Sequence, residues 1–111
     1  MIKEHELELL GALKEKNNLG INWDDKEYDL YFELHKKMLE RVAMIFNMHK
    51  QIHHCPEAYY ESVSTIVQPF EREVWVYRHY EGYTKVIGYS FDLILEADII
   101  KLRKRLETLI F

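Results

Sequence analysis

Cysteine is almost absent from this chain: 111 residues carry one, Cys55. A single thiol excludes an intramolecular disulfide and suits a reducing compartment, so the sequence predicts a cytoplasmic protein. Glycine (four) and proline (two) are scarce and scattered. That leaves no linker, repeat or low-complexity tract, and predicts a single domain over 1–111. No apolar run approaches the roughly 18 residues of a membrane span. The opening MIKEHELELL mixes charge with leucine and lacks the apolar stretch of a signal peptide. Serine occurs only at 62, 64 and 90, and there is no glycine-rich phosphate loop, paired-carboxylate motif, CxxC or HExxH. These absences lean against an enzyme without deciding it, and leave zinc as the one cofactor to weigh.

Basic residues are also in deficit, 15 against 19 acidic, for a formal net charge of −4. A nonspecific nucleic-acid binder carries the opposite balance. The local exception is KLRKR, Lys101–Arg105. On a helix its charges spread around Leu102, which reads as a solvated face with Arg103 pairing Glu107 at i,i+4.

What is present is hydrophobic periodicity. Residues 2–16 predict a short helix with Ile2, Leu9, Leu10 and Leu13 on one face, and NNLG at 17–20 supplies its end. WDDKEY then gives a strong start signal. Asp24 can cap a helix while Glu27 reaches back to its amide, and Trp23 and Tyr28 hold the positions of a hydrophobic staple. The 3-and-4 spacing runs on to about His53, through Phe32, His35, Leu39, Val42, Phe46 and His49, with Tyr31, Met38, Ile45 and Ile52 beside it. This predicts a second helix of about 28 residues, roughly 42 Å long. Its apolar arc is too wide for one seam, and it would overhang a typical helical partner. Pro56 predicts a third helix over 56–68 burying Tyr59, Val63, Ile66 and Val67. EREVWVYRHYEGYTKVIGYSF turns β-branched and aromatic, and predicts a hairpin of 73–80 with 83–90. A two-residue turn would pair Tyr80 with Tyr83, Trp75 with Gly88, and the like-charged Arg78 with Lys85, a clash that a longer loop would relieve, so the register stays open. Leu95, Ile99, Leu102, Leu106, Leu109 and Ile110 predict a closing helix. The fold class is α+β, mainly helical, in the order α-α-α-β-β-α.

One stretch holds the residue types of a chemical site. HKQIHHCPEAYY, 49–60, contains three histidines and the cysteine. His49 and His53 are one helical turn apart and could share a zinc ion with Cys55. Cys55 beside a helix start and histidines could also be a nucleophile, although nothing marks an oxyanion hole. The simpler reading is structural, with His53 and His54 meeting free carbonyls at the end of the second helix.

The aromatic residues of the hairpin carry the functional expectation. A two-stranded ribbon cannot bury both faces, and tyrosine and tryptophan are enriched at interfaces. Val74, Val76, Tyr80, Tyr83, Ile87 and Tyr89 share the face expected to need cover from outside. The wide second helix and the hairpin together predict more apolar surface than the fold hides. The expected function is therefore protein binding, as a small regulatory or inhibitory accessory protein of bacterial or phage origin. It would act through a homodimer or a partner interface formed by Tyr31, His35, Met38, Val42, Ile45, His49, Trp75, Tyr80, Tyr83 and Tyr89. Histidines in that interface would weaken it when protonated near pH 6. The alternatives are a winged-helix DNA-binding transcriptional regulator and a zinc-binding protein centred on His49, His53 and Cys55.

Overall fold

A long helix capped by Asp24 organises the molecule. The structure, a computed structural model, describes residues 1–54 and 62–109. Cys55, Pro56 and Tyr59, and with them the first part of the expected third helix and the cysteine of the expected zinc site, lie outside those residues, as does Ile110. Helix α1 spans Glu4–Asn18 and α2 spans Asp25–His53. The capping box expected at WDDKEY is formed: the Glu27 amide donates to Asp24 Oδ1 at 2.8 Å, and the Asp24 amide donates to Glu27 Oε1 at 3.2 Å. Trp23 meets Tyr28 edge-on, with ring centroids 5.2 Å apart, and its indole N–H donates to the Leu13 carbonyl. At the other end His54 adopts a left-handed conformation, φ 47°, and closes the helix.

At 1.5 Å per residue, the 29 residues of α2 rise about 43 Å, and the molecule is 44 Å along its longest axis. The helix does not overhang, because two helices divide its length between them. Helix α1 runs back along the amino-terminal half, tied by Lys16–Glu27 (2.8 Å) and Lys37–Glu6 (2.9 Å). The last helix, α4, Ile99–Thr108, meets the carboxy-terminal half.

Residues 62–68 are a strand, not the carboxy-terminal part of a third helix. Strand β1 (Ser62–Gln68) pairs antiparallel with β2 (Glu73–Tyr80), and β2 pairs with β3 (Tyr83–Ser90), in the order β1-β2-β3. The seven residues SVSTIVQ include four that are β-branched and stiff at χ1. Their burial alternates, with Val63, Thr65 and Val67 turned inward. Among the described residues the order is α-α-β-β-β-α-α, about 57% helical and 23% strand, so the class is α+β and mainly helical, with three strands where two were expected. The hairpin takes the register of a two-residue turn, which the sequence leaves open: Tyr80 opposite Tyr83, Trp75 opposite Gly88, Arg78 opposite Lys85. Trp75 covers Gly88, and its Cδ1 would lie 3.4 Å from a Cβ placed there.

Two helices follow the sheet. Helix α3, Phe91–Ile94, is a single turn capped by Ser90, and α4 is capped by Asp98, whose Oδ1 accepts from the Ile100 and Lys101 amides. The core lies between one face of the sheet and the helices, and is built from Leu10, Met38, Ile45, Val74, Val76, Tyr89, Phe91, Leu102 and Leu106. Arg41 enters it as a cap. Its Nε donates to the Ile94 carbonyl at 2.7 Å and its Nη2 to the Glu96 carbonyl, which satisfies acceptors at the end of α3.

Candidate functional site

His49 and His53 do share a helical face, and what they face is the end of α4. Helix α2 delivers His49 Nε2 to within 3.0 Å of the Leu109 carbonyl and His53 Nε2 to 2.7 Å from the Leu106 carbonyl. A carbonyl only accepts, so both Nε2 atoms carry hydrogen. His49 Nδ1 is then an acceptor, and the Tyr89 phenol donates to it at 2.9 Å. The ring is neutral and fully buried. Burial holds the His49 imidazole below its ordinary value, and the charges of His53 and Arg78 push the same way against the Leu109 hydrogen bond. Burial likewise pushes the Tyr89 phenol far up. Both nitrogens of His49 are thus engaged within the fold. Among the described residues, no group of three or more His, Cys, Asp or Glu is placed to hold a metal ion.

The expected interface residues divide. Met38, Val42, Ile45, His49 and Tyr89 are core in the single chain. The Val74, Val76 and Tyr89 face of the sheet is the one against the helices, so it is not the face left bare. Helix α1 and the added strand β1 hide surface that the sequence alone leaves uncovered. Tyr31, His35, Trp75 and Tyr80 are half-buried, and Tyr83 is exposed and stacked on Tyr80 with centroids 4.8 Å apart.

Around Tyr31 the structure assembles a row that the sequence reading named only in part. Trp23 packs on Tyr31 at 4.6 Å, Tyr31 stacks on His35 at 5.3 Å, and Phe32 stands edge-on to Tyr31 at 6.1 Å. Phe32 is 64% exposed and Tyr28 48%. Leu19 and Ile21, also exposed, lie in the connection leading into this end of α2. Phe32 was readable as the outermost member of the wide apolar arc. Trp23 and Tyr28 were read only as a staple, although a staple on an exposed helix start is itself surface.

The second bare surface is the outer face of the sheet, with Ile66, Trp75, Tyr77 and Val86. It is crossed by a polar chain in which His79 bonds Ser64 Oγ at 2.8 Å and Thr84 Oγ1 at 3.2 Å. The third feature is α4. Lys101, Arg103 and Lys104 are exposed and make no ion pair among the described residues, and the expected Arg103–Glu107 pair is not formed.

A crevice lined by Tyr31, His35, Thr65 and Ile66 has about 20 Å³ of free space, room for about one water. A cavity of about 320 Å³ between β3 and α4 brings Glu73, Ser90 and Arg105 together. There the Ser90 hydroxyl is engaged as the cap of α3, accepting from Leu93 N at 3.1 Å. Comparison with known proteins finds no matching family model, no matching curated protein and no matching solved structure.

Proposed function

We propose that this chain is a small regulatory or inhibitory accessory protein that acts by binding protein, and that the aromatic row at the amino-terminal half of α2 is its docking surface. The observation that carries this reading is the exposure of Phe32 and Tyr28 at the edge of a packed aromatic stack. Exposed apolar area on a positioned scaffold marks association surfaces, and aromatic anchors dominate their energetics. A photoreactive benzoyl-phenylalanine at position 32, in cells expressing the protein, tests it. Adducts should form at 32 and not at the exposed control position Glu107. Equal yields at both positions, or none at 32, would reject it.

Lys101, Arg103 and Lys104 support a second reading, contact with nucleic acid. The four cations of KLRKR sit on one helix, while the rest of the chain carries −8 against −4 for the whole. The winged-helix arrangement rests on a third helix over 56–68, of which residues 62–68 are a strand. A salt-sensitive mobility shift with duplex DNA, lost in Arg103→Gln/Lys104→Gln, would favour this second reading.

A further inference from the structure

We propose that the occupant of the α2 row is a second copy of this chain, with the two α2 helices crossing antiparallel about a two-fold axis beside Phe32. The proposal rests on the row being a docking surface and adds the partner's identity. Asp29, Phe32 and Lys36 stand three and four residues apart on one stripe of α2, and all three are exposed. Asp29 and Lys36 make no ion pair among the described residues. The point midway between residues 32 and 33 is equally far from both, about 5 Å along the axis at 1.5 Å per residue.

A two-fold axis through that point therefore places each Asp29 against Lys36 of the other copy, twice over, with the two Phe32 rings between them. An apolar centre flanked by complementary charge is the anatomy of a specific interface. Because the contact is isologous, it closes at two copies. The next groups outward, Asp25 and Glu40, would face each other with like charge, about 11 Å from the axis. Aligned helices would hold them together, whereas a crossing near −50° carries them apart, so the crossed class is the one that fits.

Charge exchange at the two positions, read by sedimentation equilibrium on the full chain, tests this. The wild type should be a reversible dimer. Asp29→Lys and Lys36→Asp should each weaken it by about tenfold or more, since each sets two like-charged pairs face to face. The double variant should recover the wild-type constant. Melting curves on every variant confirm that these exposed substitutions leave the fold intact. A wild type that is a single chain at every concentration would overturn the second copy while leaving the row open to a different protein. A dimer indifferent to the single substitutions, or not restored by the double one, would also overturn it.

Discussion

Tyr89 on β3 donates its phenol hydrogen to His49 on α2 across 2.9 Å, inside the core. That bond fixes the imidazole as the Nε2–H tautomer, and the same ring then holds the Leu109 carbonyl. Sheet, long helix and carboxy-terminal helix are joined through one neutral side chain. Tyr89→Phe keeps the ring's bulk and removes the donor to Nδ1. Chemical denaturation should show a loss of about 1–2 kcal/mol, with no change in association.

Acid should act on folding. Burial holds His49 below its ordinary value, and burial, with Lys14 nearby, does the same to His35. In the unfolded chain these rings titrate near about 6.5. A depressed folded value means that the unfolded state binds more protons below that pH. Stability is therefore complete above about pH 6.5 and declines as pH falls below it. Glu6 and Glu27, held down by Lys37 and Lys16, add to the loss only nearer the ordinary carboxylate range. Melting temperatures across this range should fall, and His49→Gln should flatten the upper part of the fall. A flat wild-type profile between pH 7 and about pH 5 would contradict the assignment.

These two bonds also mark what the sequence could and could not say. Helix α2 was legible almost to the residue, because its capping box, its 3-and-4 spacing and its histidine-rich end are all local. The hairpin was legible for the same reason, with EG as the turn. Its register was not, because the like-charged Arg78 and Lys85 argue for a longer loop, and only the structure shows the two-residue turn. Strand β1 was misread because Tyr59, Val63, Ile66 and Val67 keep a helical spacing. The β-branching and alternation of SVSTIVQ were the better guide, since a third strand on β2 gives every second residue a buried position. The faces of the hairpin were assigned the wrong way for a related reason. Without β1, the Val74 face has no visible partner layer. Tertiary pairings such as His49 with Leu109, 60 residues away, leave no local trace.

Gly11→Ala should destabilise, against the helix propensity gain of about 1 kcal/mol. A Cβ at Gly11 would fall inside contact distance of the Pro69 ring, in the turn between β1 and β2. A proline ring cannot rotate away, so α1 and that turn must separate. A melting temperature equal to or above the wild type's would show that the turn yields.

Arg41→Met should lose on the order of 2–3 kcal/mol, because the Ile94 and Glu96 carbonyls lose a charged donor within a well-packed region. Hydrogen exchange should locate the loosening at residues 91–98, ahead of any change in α1.

Phe32 separates fold from function most directly. Native mass spectrometry of the wild type and of Phe32→Ser across a concentration series, with melting temperatures taken alongside, measures both at once. The two-fold packing of α2 predicts a dimer that grows with wild-type concentration, and a variant that stays single-chain and melts within a degree or so of the wild type at concentrations where both are monomers. A single-chain wild type throughout, or a variant that still dimerises, would contradict it.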